Sequence, residues 1–242
     1  MRRPDGYSLK ESMRASQLES LHNNRCPQRG GVPNAVTGRF GGRALLVGGA
    51  LWVIAMLAHA GMTPDMAAMA TVSSFMWGIV HWGYLVGDLL LIAGFVLFFR
   101  HLEERGAEGW GALAVAAGIL AFTLDAASTG IPLFAFPAAA AAGDQTAYDA
   151  LVGVQGSIGS SGATFFVIAI TLLGAALLRA GGWRFLAYIG IALGIVEFGL
   201  MVTGIVAATG LLSAAIYALV PLWVAVLGFK VAGTAPAAGT AP

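Results

Sequence analysis

The chain has 242 residues, of which 58% are hydrophobic and only 10% charged, and its mean hydropathy is +0.80. Soluble domains carry about a quarter charged residues, so this composition excludes a water-soluble fold. The formal net charge of +1 conceals an asymmetry, because the basic residues crowd at the N-terminus and in two short loops. That pattern sets membrane topology and leaves no footprint for nucleic acid.

Residues 1–43 are polar and carry Arg2, Arg3, Lys10, Arg14, Arg25, Arg29, Arg39 and Arg43 without an apolar run that would serve as a signal-peptide core. They read as a disordered, basic cytoplasmic tail that reinforces orientation. The alternative is a short helix lying on anionic lipid, since Ser8 and Glu11 have capping-box spacing and Leu9, Met13 and Leu21 lie loosely along one face. The single cysteine, Cys26, falls in this tail, has no partner for an internal disulfide and reads as an incidental thiol.

Residues 44–230 hold six apolar stretches, at 44–62, 76–99, 110–130, 153–178, 184–208 and 211–229. Each is near the roughly 20 residues needed to cross a hydrocarbon core. They are helices, because an open sheet edge cannot survive in lipid. The expected fold is therefore an all-α, polytopic bundle of six transmembrane helices. Gly210 marks a tight turn between the last two spans. The longest connection, 131–152, contains Pro132 and Pro137 and many alanines, and suits a short interfacial helix or a lid. Residues 231–242 are a low-complexity cytoplasmic tail. No internal repeat relates the two halves, which weighs against an inverted-repeat transporter.

All 13 lysines and arginines then fall on one side. The tail group precedes the first span, Arg100 and Arg105 follow the second, Arg179 and Arg184 flank the turn between the fourth and fifth, and Lys230 ends the sixth. The other loops, near Asp65, near Asp144 and Asp149, and near Gly210, carry no basic residue. By the positive-inside rule both termini are cytoplasmic, in a cell membrane.

An ionisable side chain at the bilayer centre costs about 2.5–3.5 kcal/mol on insertion scales, so each one there needs a partner, a wet cavity or a role. Five stand out: His59, His81, Asp88, Asp125 and Glu197. At a rise of 1.5 Å per residue, His59 and Asp125 lie about 22 Å from the cytoplasmic ends of their spans and Glu197 about 20 Å. All five are at the midplane or in the outer half. Trp77, His81, Tyr84 and Asp88 share one helical face at i, i+4, i+7, i+11. Ser157, Ser160, Ser161 and Thr164 reach a similar depth, and Ser128 and Thr129 follow Asp125 by one turn.

The functional reading is an outer-half polar pocket of His59, His81, Tyr84, Asp88, Asp125 and Glu197, serving proton- or cation-linked transport or small-ligand sensing. Against it stands a structural reading in which these groups pair and lock helix packing in an accessory subunit. A third reading is a membrane redox protein or hydrolase in which His59 and His81 hold haem, or hold zinc together with Asp88 or Asp125. No motif names a reaction, so nothing designates an enzyme.

Several further signals fit packing. His101 with Glu103, Glu104 and Arg105 reads as a solvated boundary with local ion pairs. Gly83/Gly87 and Gly190/Gly194 have G-x-x-x-G spacing and read as contacts within one subunit before any oligomer. Pro221 should kink the sixth span.

The first span closes on Ala58-His59, the second opens with Trp77 and His81 and ends in Phe99-Arg100-His101-Leu102-Glu103, and the third carries Asp125 ahead of Pro132. In these features the chain resembles a group of uncharacterised bacterial six-span membrane proteins, mainly over its first three spans. The resemblance implies a bacterial plasma membrane and no particular activity.

Overall fold

The computed structural model describes residues 34–60, 62, 66, 74–203 and 211–234. The readings of Ser8 with Glu11, of Cys26, of the loop at Asp65 and of the Gly210 turn lie outside these residues. What is described is entirely helical: α1 (Asn34–His59), α2 (Ser74–Glu103), α3 (Glu108–Gly130), a π-turn (Ile131–Ala135), α4 (Phe136–Ala142), α5 (Gln145–Arg179), α6 (Arg184–Thr203), α7 (Leu211–Tyr217) and α8 (Leu219–Thr234). Six segments are long and apolar enough to cross a membrane: Gly38–His59, Phe75–Glu103, Glu108–Ala142, Gln145–Arg179, Arg184–Thr203 and Ala214–Gly233.

The helices run up and down in chain order. α1 packs on α2, α2 on α3, α3 on α5 and α5 on α6, while α8 returns to α1 and touches α6 lightly, closing a ring. Every described lysine and arginine therefore collects at one end of the bundle, here the basic end. Asp144 and Asp149 mark the opposite, acidic end.

The polarity of the bundle is inverted relative to a soluble protein. His81, Asp88, Ser128, Thr129 and Glu197 are buried, whereas Ile54, Phe75, Leu89, Phe185, Ile195 and Val202 stand outward with 60% or more of their surface free. Such an apolar exterior has no place in water and is what a hydrocarbon solvent requires. Exposed aromatics gather near both ends, with Trp110 toward the basic end and Trp82 against Phe134 toward the acidic end. The 24 residues from Trp110 to Phe134 rise about 36 Å, which matches the spacing of two interfacial belts around a core about 30 Å thick.

Glycines set the closeness of the packing around α1. A Cβ on Gly48 would stand 3.0 Å from the Gly87 carbonyl of α2, and one on Gly49 would stand 2.6 Å from the Pro221 carbonyl of α8. One turn pair earlier, Gly41 meets Leu97 and Gly42 meets Gly228 and Ala232. Two seven-residue glycine pairs thus give α1 two smooth flanks, a signal that the sequence reading passed over. The G-x-x-x-G matches behave as expected. Gly87 meets Trp52, Gly190 meets Trp223 and Gly194 meets Thr171, all within the chain.

The connection 131–152 does hold a short helix, one of its two readings, but that helix is joined to the third span. The third helix continues through it to Ala142, and after a turn on Gly143, in the left-handed region at φ 66°, α5 begins at Gln145. Pro132 and Pro137 lack N–H groups, so the backbone widens into the π-turn, in which Phe136 N–H donates to the Ile131 carbonyl, and the helix then resumes. Asp144 caps α5, its Oδ1 accepting the Ala147 N–H at 2.9 Å. Both tail boundaries move as well. α1 starts at Asn34, ahead of the expected 44, and α8 runs to Thr234, past 230. The sixth span breaks at Ala218, between α7 and α8, where Pro221 cannot donate to the Tyr217 carbonyl.

At the basic end, His101 is not part of a solvated ion-paired turn. Its ring stacks with Phe98 (5.5 Å) and with Trp183 (5.9 Å), and the Arg105 guanidinium lies 5.9 Å from the Trp183 ring. Trp183 reaches this stack from a turn where its own φ is 45°, directly after Gly181 and Gly182.

Candidate functional site

The register of α1 against α2 creates two rungs. Seven residues separate Trp52 from His59 on α1, and seven separate His81 from Asp88 on α2. In an antiparallel pair this sets Trp52 opposite Asp88 and His59 opposite His81, with the second rung about 10 Å nearer the acidic end.

The inner rung centres on Asp88, which has no exposed surface. Trp52 Nε1–H donates to Asp88 Oδ1 at 2.8 Å, and among the described residues Asp88 Oδ2 has no donor. The Asp125 carboxyl, reaching in from α3, stands within side-chain hydrogen-bonding reach of Asp88. Neither carboxylate can donate to the other, so the contact is a hydrogen bond only when the pair holds a proton. Asp125 Oδ2 also accepts the Thr129 hydroxyl at 3.5 Å, a long bond from one turn away on the same helix. Beside Asp125 lies a small, partly open cavity of about 10 Å³ with apolar walls, lined by Trp52, Phe122, Asp125, Gly162 and Phe166 among others. Gly162 lets α5 approach α3 closely here, since a Cβ there would press on the Ala121 carbonyl at 3.1 Å and the Asp125 N at 3.2 Å. Rings of Tyr84 (5.3 Å), Phe166 (5.7 Å) and Phe122 (6.4 Å) hold the Trp52 indole in place.

The outer rung is a cluster of rings. His59 and His81 meet edge to face with centroids 5.2 Å apart, Trp77 lies 4.2 Å from His81 and 5.5 Å from His59, and Tyr84 is 6.3 Å from each imidazole. His81 Nδ1 is 2.8 Å from the Trp77 carbonyl. A carbonyl only accepts, so Nδ1 carries the proton and Nε2 keeps its lone pair. Trp77 in turn donates its Nε1–H to the Pro132 carbonyl in the π-turn at 3.0 Å. Below that turn, Trp77 joins Phe136 and Tyr148 in a small apolar cluster at the acidic end. Tyr84 connects the rungs, touching both imidazoles and Trp52 while lying in the field of both carboxyl groups.

Five of the six sequence candidates, His59, His81, Tyr84, Asp88 and Asp125, therefore converge. Glu197 lies apart. It is buried on the face of α6 that carries Gly190 and Gly194, and among the described residues its Oε1 has no partner and its ionisable neighbour is Tyr217. The hydroxyls of α5 do not join the pocket either. Ser157, Ser161 and Thr164 donate to the carbonyls of Gly153, Ser157 and Ser160 on their own helix, the local alternative open to short hydroxyl side chains. Trp52 is the functional residue that the sequence reading missed. It is an apolar residue by pattern, and its role comes from the indole N–H.

Two chemistries weighed earlier can be compared with this geometry. Among the described residues no three His, Cys, Asp or Glu side chains come together as a metal-binding group, so the expected zinc set of His59 and His81 with Asp88 or Asp125 is not assembled. Axial imidazoles of a haem flank the porphyrin plane on opposite sides, whereas the His59 and His81 rings touch edge to face and leave no slot between them. No family model, curated protein or solved structure matches this chain.

Proposed function

We propose that this chain is a multi-pass protein of a bacterial plasma membrane, of the uncharacterised six-span group it resembles. Both termini are cytoplasmic, and the Asp88–Asp125 pair is a proton or cation site reached from the outer face, serving transport or small-ligand sensing. The membrane reading rests on the outward apolar surface, the aromatic girdles and the segregation of every described basic residue to one end. One observation carries the site reading. Asp88 is fully buried with one donor, the Trp52 indole, and the Asp125 carboxyl stands beside it on α3, lining the same small cavity as Trp52. A structural lock would be satisfied without the second carboxyl, because Trp52 and Asp88 alone already bridge α1 and α2. Two neighbouring carboxyls that share a proton exchange it, or replace it with a cation, at little cost in rearrangement.

The test is flux in proteoliposomes carrying an internal pH dye, with gradients of protons and of monovalent cations imposed across them. Asp88→Asn and Asp125→Asn should each abolish dye-reported flux while the protein still inserts and keeps its helical circular dichroism. Flux equal to wild type in both variants, or no flux above empty vesicles in the wild type under any gradient, refutes the reading.

A further inference from the structure

The outer rung has properties that a proton or ring-packing role does not use. His81 is buried at 3% exposure, yet its orientation is fixed by an Nδ1–H bond to the Trp77 carbonyl. That is the arrangement in which metal-ligating histidines are held, the second nitrogen being left to donate its lone pair. A metal–imidazole bond of about 2.0 Å puts each ring centroid about 3.1 Å from the ion. Centroids 5.2 Å apart then subtend roughly 115° at a shared ion, close to a tetrahedral angle. The segment following His59 supplies sulfur. Met62 is tied to His59 by its N–H, which donates to the His59 carbonyl at 2.8 Å. Met62 and Met66 both pack on the cluster containing Trp77, the ring on which both imidazoles rest.

Donor chemistry selects the ion. Two neutral imidazoles and two thioethers bring no negative charge, which is poor ligation for zinc, magnesium or calcium and good ligation for a soft monovalent ion. We propose that His59 and His81, together with the thioethers of Met62 and Met66, form an outer-face binding site for monovalent copper. This inference goes beyond the carboxyl-pair reading and does not depend on it. The copper site is read at equilibrium on solubilised protein, where nothing is transported, so either result stands when the other fails.

The experiment is an anaerobic titration of the detergent-purified full chain with Cu(I) against a chromophoric Cu(I) chelator, followed by X-ray absorption at the copper edge. The expected result is one Cu(I) per chain, with both nitrogen and sulfur scatterers around the ion. His81→Ala and His59→Ala should each weaken binding by at least about tenfold, the scale on which even outer-shell changes act. Because a histidine variant can misfold, Met62→Leu/Met66→Leu is measured as well. That double variant keeps the apolar packing and should remove the sulfur scattering while weakening Cu(I). No Cu(I) retained against the chelator, a copper shell without sulfur, or affinity unchanged in the methionine double variant overturns the proposal.

Discussion

Replacing Trp52 with Phe should separate the hydrogen bond at the inner rung from the packing around it. The indole Nε1–H donates to Asp88 Oδ1 at 2.8 Å, and the ring is held by Tyr84, Phe122 and Phe166. Trp52→Phe therefore loses both the bond and part of the ring contact. In an Asp88→Leu background the acceptor is already gone, so only the ring contact is lost, and the difference between the two costs isolates the bond. Its size reports charge: a bond to a neutral acceptor contributes about 0.5–1.5 kcal/mol and one to a charged group about 1.5–3 kcal/mol. One donor is thin support for a full negative charge in an apolar interior, whereas Asp125 has the Thr129 hydroxyl and the cavity beside it. If the shared proton resides on Asp88, the coupling should be about 1 kcal/mol. Reversible unfolding in mixed micelles with a rising SDS fraction, followed by circular dichroism, measures it. A coupling indistinguishable from zero would refute the hydrogen bond, and one above about 2 kcal/mol would place the charge on Asp88.

The same unfolding assay tests the glycine flank, since a Cβ on Gly228 would stand 2.5 Å from both the Gly42 carbonyl and the Leu46 N. Gly228→Ala should cost about 1–3 kcal/mol, while Gly233→Ala, with nothing within 4 Å of its Cβ, should cost little. Asp144→Ala removes the cap on α5 and should cost about 0.5–2 kcal/mol, seen as faster hydrogen exchange confined to the first turn after Gln145. Orientation can be read with a membrane-impermeant thiol reagent on intact cells. Asp144→Cys in a Cys26→Ser background should label from outside, and labelling that requires lysed cells would invert the assigned topology.

Hydropathy and charge made the number of spans and their up-and-down order legible, because each span is a continuous apolar run and lysine and arginine occur only between alternate runs. The polar stripe on α2 was legible from helical spacing alone. Its partners were less so. Trp52 scores as one more apolar residue on α1, and only the register of α1 against α2 turns it toward Asp88. Glu197 shared the depth of the other carboxyls but not their azimuth, and rise per residue carries no information about which neighbour a helix face meets. The short helix in 131–152 was foreseen but its continuity with the third span was not, because Pro132 and Pro137 signal breaks, whereas here a single wide turn absorbs the first and the alanines beyond carry the helix on. His101 was misread because the stack that half-buries it depends on Trp183, distant in sequence and delivered by a left-handed turn.

The length of α5 has a consequence of its own. Its 35 residues extend about 52 Å, and only an inclination of roughly 55° would fit them within 30 Å of hydrocarbon, beyond the range up to about 40° seen in membranes. With the bundle in a membrane and the excess at the acidic end, the first turns of α5, beside α4, would rise through the headgroups as a mast. The cluster of Trp77, Phe136 and Tyr148 at its foot then sits at the waterline rather than in the hydrocarbon. Anything bound at the outer rung would be met at the surface of the membrane, before it had given up its water.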